Sequence, residues 1–160
     1  MLSTPTPIGA ILFGEALGRF GTALFQAVFI IAATALLFGV VWGDPLGVTV
    51  LALAFSLVGA GIAMLIGSIA NDAEQASSIG VFVGLGVAAL GGAMVPPEIF
   101  PEPMATISWV TPHRWALDGF RELILGASLS GLLLPIGVLL AEGVILLALA
   151  TWRLRVALTR

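Results

Sequence analysis

The only histidine of the chain, His113, opens a stretch in which Arg114, Asp118, Arg121 and Glu122 recur at spacings of three and four. On a helix that spacing gathers the charges onto one face, while Trp115, Phe120 and Leu123 are apolar. This is an amphipathic segment, not a reactive centre. His113 has no histidine or cysteine companion, so a metal site is without support. The sequence carries no serine-nucleophile motif, no phosphate-cradling loop ending in Gly-Lys-Ser/Thr and no His-Glu-x-x-His. Nothing in it could hydrolyse a nucleotide. The expectation is a chain that is not an enzyme and binds no cofactor itself, so that energy for any transport comes from a partner or a gradient. One carboxylate stands apart: Glu142 lies near the middle of a long apolar run. A lipid-facing charge there is costly, so it must point at protein or water, with the protonated form as one way of lowering the cost. A hydrogen bond to another helix, with Gln26 as a candidate partner, a place in a substrate or proton path, and a position nearer the interface all remain open.

The elements that must position these groups are apolar. Of 160 residues, 59% are hydrophobic and 9% charged, whereas a soluble domain carries roughly 25% charged residues. So little charge cannot cover a globule of this size in water. There are six arginines, no lysine and nine acidic residues, spread between apolar runs without a basic tract, which leaves a nucleic-acid partner no electrostatic footprint. Cysteine is absent, which removes disulfides and thiol chemistry. The start, Met1 to Gly9, has no positively charged region ahead of an apolar core, so a cleaved signal peptide is not expected. The length suits one membrane domain.

A helix rises about 1.5 Å per residue and must cover a hydrocarbon core about 30 Å thick. Four runs are long enough: Phe20 to Val41 (22 residues), Leu46 to Ala70 (25), Ser78 to Val95 (18) and Gly131 to Thr151 (21). None of the first three carries a charge on any face, unlike a surface helix of a soluble bundle. Continuous apolarity also excludes the alternation of a membrane β-barrel. The expected fold is an all-α integral membrane domain of four transmembrane helices, with residues 1–19 as a cytoplasmic or interfacial lead-in and 152–160 as a tail.

Residues 96–130 differ. They hold two short apolar pieces, Pro103 to Val110 and Pro112 to Gly126, the second rising only about 20 Å as a helix. Two short helices that enter one membrane face and return fit best; an amphipathic helix lying in the interface is the simpler form. Trp109 and Trp115 would anchor either. Pro96, Pro97, Pro101 and Pro112 punctuate this region. With an even number of crossings, Arg19, Arg153, Arg155 and Arg160 share one side against Arg114 and Arg121 on the other. That bias favours both termini in the cytoplasm, Asp72 to Gln75 as a cytoplasmic turn and residues 96–130 on the outer face.

Gly80 and Gly84 form a small-xxx-small pair in the third run, with Gly91 and Gly92 nearer its outer end. Close backbone contact is a main source of helix pairing in lipid. These glycines are therefore expected to mark faces where the third span touches a neighbouring helix or a second copy.

Two blocks carry a family resemblance. One is Gly91-Gly92-Ala93-Met94-Val95-Pro96-Pro97-Glu98-Ile99-Phe100-Pro101; the other runs from Ile107-Ser108-Trp109-Val110-Thr111-Pro112 through His113-Arg114-Trp115-Ala116-Leu117-Asp118-Gly119-Phe120. With Leu17-Gly18-Arg19-Phe20 and the run to Val40, and at this separation between a third and a fourth hydrophobic segment, they resemble the permease subunits of ABC-2 type transporters. Family permeases have six spans, and this chain matches the last four. The resemblance implies re-entrant helices closing the outer side of a path, a location in the cell membrane, pairing with a second permease copy, and a cytoplasmic ABC ATPase that binds ATP and Mg. It also implies that Glu15 and Arg19 lie at the end of the segment that meets the ATPase; read alone they are a solvated helix start. Two rival readings stand beside the exporter: a non-transporting membrane scaffold, and a proton-coupled carrier using Glu142.

Overall fold

The computed structural model describes residues 7–158, with side chains through 156. Arg160, the first six residues of the lead-in and the end of the tail lie outside the described residues. Six α-helices follow in order: α1 (Ile8–Phe38), α2 (Pro45–Ile69), α3 (Ala73–Leu90), α4 (Glu102–Ser108), α5 (Pro112–Ile124) and α6 (Leu133–Leu158). Short 3₁₀ turns at Pro97–Ile99 and Leu129–Leu132 precede α4 and α6. Helices α1, α2, α3 and α6 are long and apolar enough to cross a membrane. The chain is an all-α multi-pass membrane protein.

The expected second span coincides with α2 to within a residue at each end. Asp44 caps it, its side chain accepting from the Leu46 amide, and Pro45 fills the first turn, where a missing N–H costs least. The other three boundaries differ from expectation, each for a local reason. The lead-in is not separate from the first span, because α1 runs unbroken from Ile8, through the i,i+4 pair Glu15–Arg19, to Phe38. It stops three residues short of Val41 at Gly39, whose φ of 67° is left-handed; its amide donates to the Ala35 carbonyl. Helix α3 lies five residues earlier than the apolar run. The Asp72 carboxylate accepts from the Gln75 amide at 2.7 Å and Gln75 Oε1 accepts from the Asn71 amide at 2.6 Å. This reciprocal cap draws Ala73–Ser77 into the helix rather than leaving them as a turn. Helix α6 continues past Thr151 through Arg153 and Arg155, straight-chain residues that tolerate a helix and carry their charge to its end.

Helix α2 is the axis of the fold. Val48, Leu51, Ala54 and Val58 form one buried cluster with Ala116 and Leu123 of α5 and with Ile136 and Leu139 of α6. Glycines let α2 and α6 approach closely: a Cβ on Gly61 would lie 2.7 Å from Leu146 Cβ, and one on Gly143 3.0 Å from Leu57. At the opposite end Leu12, Met64 and Ala150 form a second cluster, so the start of α1 and the end of α6 lie together. Arginines finish that end. Arg19 Nη1 donates to the Ala63 carbonyl at 2.9 Å and Arg153 Nε to the Ser68 carbonyl at 3.2 Å, cations placed at the C-terminus of α2. By contrast α3 buries none of its residues, and α1 only Leu12.

Candidate functional site

Helices α4 and α5 form a hairpin whose second helix, α5, packs along α2 instead of lying across its end, while α4 meets the end of α3. Three contacts set the register. His113 meets the Phe55 ring edge to face at 5.2 Å; Gly119 lies against Leu51, where a Cβ would come within 2.8 Å; Leu123 fills the space beside Gly47 and Gly43. Helix α5 therefore runs antiparallel to α2, and its first turn sits about 12 Å further along α2 than its last, from Phe55 back to Gly47. Two short helices are formed, as expected, and the second lies alongside α2. Its buried residues, Ala116, Gly119 and Leu123, form one stripe facing the core.

Charge at the hairpin tip is neutralised locally. Arg114 Nε lies 3.0 Å from Asp118 Oδ2, in ion-pair contact without hydrogen-bond alignment. The Arg114 guanidinium also stacks 4.5 Å over the Trp109 ring. Trp109 and Trp115 meet edge to face at 4.8 Å, and Trp115 Nε1 donates to the Trp109 carbonyl at 2.8 Å, which closes the tip on itself. Pro97 and Pro112 each stand in the first turn of a helical segment. Pro96 and Pro101 are the residues just before such turns, in extended conformations that bring the chain round. Higher on the hairpin Arg121 donates to Glu98. Glu98 is held below the usual carboxylate range, first by a backbone hydrogen bond and then by Arg121, and Arg121 is raised in return. Glu122 is exposed. His113 is lowered by burial, and its Nδ1 has no hydrogen-bond partner among the described residues.

Gly91 and Gly92 lie where the third span meets a neighbouring element, although at the turn that ends it and not within the helix. Both lie in the turn that ends α3: Gly91 is buried against His113 and Thr111, and Gly92, at φ 94°, abuts the Pro97 ring. Small residues are needed there because the end of α3 meets the start of α5. Among the described residues no atom lies within 4 Å of where a Cβ would stand on Gly80 or Gly84, so neither makes a close backbone approach to a described helix.

Glu15 and Arg19 are joined at 2.5–2.8 Å, and Arg19 reaches across to α2, so this pair is a bridge between helices as well as a helix start. Gln26 is exposed on the same side of α1, along a groove of about 450 Å³ between α1 and α2. It makes no bond to Glu142. Glu142 is partly buried on α6, and its Oε2 has no hydrogen-bond partner among the described residues.

Sequence reading missed Asp44. Besides capping α2, its Oδ2 accepts from the Leu129 amide at 3.0 Å, tying the α1–α2 turn to the start of α6. The signal was present in Asp44-Pro45, a helix-start pair. It also missed Trp42, which stacks edge to face on Phe120 at 5.5 Å and donates to the Ile31 carbonyl. Between Trp42, Ile31, Phe55 and His113 lies an apolar cavity of about 230 Å³.

A family model described as "ABC-2 family transporter protein" matches residues 1–152. Among curated proteins, the linearmycin resistance permease protein LnrN of Bacillus subtilis (strain 168) is 32% identical over 143 residues, which cover 89% of this chain and 37% of that protein. The chain thus spans little more than a third of the relative's length. No solved structure gives a significant match.

Proposed function

The chain belongs to the ABC-2 family of transporter proteins, and from that premise we propose that it is the permease part of an ATP-driven exporter. One observation supports this most: the family match covers α4 and α5, and α5 is packed along the core helix α2, as a plug at one end of a path must be. In this reading the chain is not itself an enzyme and holds no cofactor. A cytoplasmic ABC ATPase binds ATP and Mg, and a second permease copy completes the path. The location is the cell membrane, with both termini cytoplasmic and the hairpin on the outer side. Glu15 and Arg19 stand where α1 leaves the cytoplasmic side, and they are the first residues to test for coupling to the ATPase. Reversing a two-state packing from 1:99 to 99:1 takes roughly 5.5 kcal/mol of differential binding, within reach of nucleotide-driven association of ATPase subunits. The relative's name ties it to linearmycin resistance, so that compound is the first cargo to try here.

The test is co-purification in mild detergent. A soluble ATPase should be retained whose hydrolysis rate changes when this chain is removed. If no ATPase is retained and cells lacking the chain are no more sensitive to linearmycin, the exporter reading fails. Topology is checked separately: a cysteine at Glu98 should react with an impermeant reagent on intact cells, and one at Glu74 should not. The orphaned Glu142 Oε2 favours one second reading, a proton-coupled carrier. It requires gradient-driven movement without any ATPase that E142Q abolishes.

A further inference from the structure

The apolar cavity of about 230 Å³ lies between α1, α2 and α5, with Ala93 of the turn after α3 at its edge. Rings frame it in two pairs. Trp42 and Phe120 meet edge to face at 5.5 Å, and Phe55 and His113 at 5.2 Å. Between the pairs the walls carry alanine, at Ala27, Ala52 and Ala116, which leaves the space open. Among the described residues no polar atom opens onto it. Trp42 Nε1 is taken up by the Ile31 carbonyl and the Thr34 hydroxyl, and His113 Nδ1 is itself covered. Ala52 and Phe55 stand about 10–15 Å along α2 from its first residue, Pro45, so the cavity lies at hydrocarbon depth in the span. Two of its bordering residues, Ile30 on α1 and Leu117 on α5, are 57% and 39% exposed. Its mouth therefore opens sideways between those helices, towards lipid rather than towards water.

We propose that this cavity is a binding site for a compact, uncharged aromatic molecule, of the size of benzene to naphthalene, that enters from the bilayer core. Three features support that occupant. The walls are short: the α1 side runs from Ala27 to Ile31, about 6 Å, and the α5 side from His113 to Phe120, about 10 Å. A lipid acyl chain, which covers half the hydrocarbon core at about 15 Å, outruns both. The volume suits rings, since an apolar cavity of about 150 Å³ in another protein already takes up benzene. The framing rings offer a further ring edge-to-face or offset contacts, which add to plain burial. A charged or strongly polar ligand would lose its hydration and find no partner inside. An occupant would touch α1, α2 and α5 at once, and its binding does not depend on what the chain transports.

The experiment is photolabelling of the full chain in lipid nanodiscs with phenyl(trifluoromethyl)diazirine, a one-ring probe that dissolves in the bilayer, with adducts mapped by mass spectrometry. Naphthalene is the competitor. Adducts on the lining, read at Ile31, Phe55 and Leu117, should fall several-fold when it is added. Adducts on the exposed Phe29 and Phe82 should not, because labelling from bulk lipid does not saturate. Dodecane, an unbranched alkane, should compete less well than naphthalene. A52F, which puts a ring into the cavity, should abolish the competed fraction, and A141F, on an exposed part of α6 away from the cavity, should leave it intact. If A52F is not recovered folded, the competition in wild type decides alone. Equal loss at the lining and at Phe82, or no loss at either, would mean simple partitioning and overturn the proposal. Stronger competition by dodecane would assign the space to a lipid chain end and also overturn it, as would competition that persists unchanged in A52F.

Discussion

Gly43 and Leu123 are in backbone contact: a Cβ built on Gly43 would lie 2.1 Å from the Leu123 carbonyl oxygen, and Gly43 itself sits at φ 85°. The turn between α1 and α2 thus receives the last turn of α5, with no room for a side chain. G43A should cost about 2 kcal/mol or more, from positive-φ strain together with overlap against backbone that cannot rotate away. Thermal unfolding in detergent checks this. G39A, also at positive φ but with nothing within 4 Å, should cost less.

Arg114 and Asp118 are each less than a third exposed, so removing either leaves the other charge poorly solvated. R114Q and D118N should each destabilise by roughly 1–3 kcal/mol. The double R114Q/D118N variant should lose less than the sum, because no lone charge remains. A double-mutant cycle on unfolding free energies measures the difference. Additive losses would mean that Arg114 acts through its stack on Trp109 alone.

His113 makes stability depend on pH. Burial lowers its pKa from 6.5 in the folded chain, so as pH falls through 6.5 the unfolded chain takes up a proton before the folded one. The contribution is complete above the unfolded value and is lost progressively from pH 6.5 down to the lower folded value. H113F should flatten the dependence of melting temperature on pH in that window while leaving Phe55 a ring partner. Glu98 acts further down the scale. Its lowered pKa gives stability that is present above about the ordinary 4.5 and lost as pH falls through the folded value. E98Q should therefore alter only the more acid region.

Gly80 is partly buried and Gly84 exposed, and among the described residues nothing lies within 4 Å of where a Cβ would stand on either. G80L and G84L should leave the melting temperature of the isolated chain close to wild type, since neither meets an intramolecular neighbour. If a second copy packs on this face, the same variants should reduce copy-to-copy cross-linking from a cysteine at Val81 several-fold. Unchanged cross-linking would place the pairing face elsewhere.

Much of this architecture is legible in the sequence because lipid imposes length and uncharged composition on a span, and proline, tryptophan and paired charges stand out against that background. That is how α2, the hairpin and its charged face are found. Two things are not legible. Helix ends set by caps, such as Asp72 with Gln75, overrule the apolar run, and this displaced α3 by five residues. The rank of the helices is hidden as well: α1 and α2 are both strongly apolar, yet α2 is the core and α1 is nearly bare. In a bilayer a leucine facing lipid and one facing protein satisfy the same solvent, so hydrophobicity does not separate them. For the same reason the contacts of Phe55, Leu123 and Asp44 emerge only from the fold.

The bareness of α3 divides this protein genetically. Changes along α2 and α5 alter what the chain is worth to itself and should surface as poor folding, low yield and degradation. Changes along the outward faces of α1 and α3 leave the chain intact and alter only the company it keeps. If the exporter reading proposed above holds, a random library sorted first for abundance and then for export would fall into two populations, and the abundant but inactive variants would trace the surfaces that partners touch.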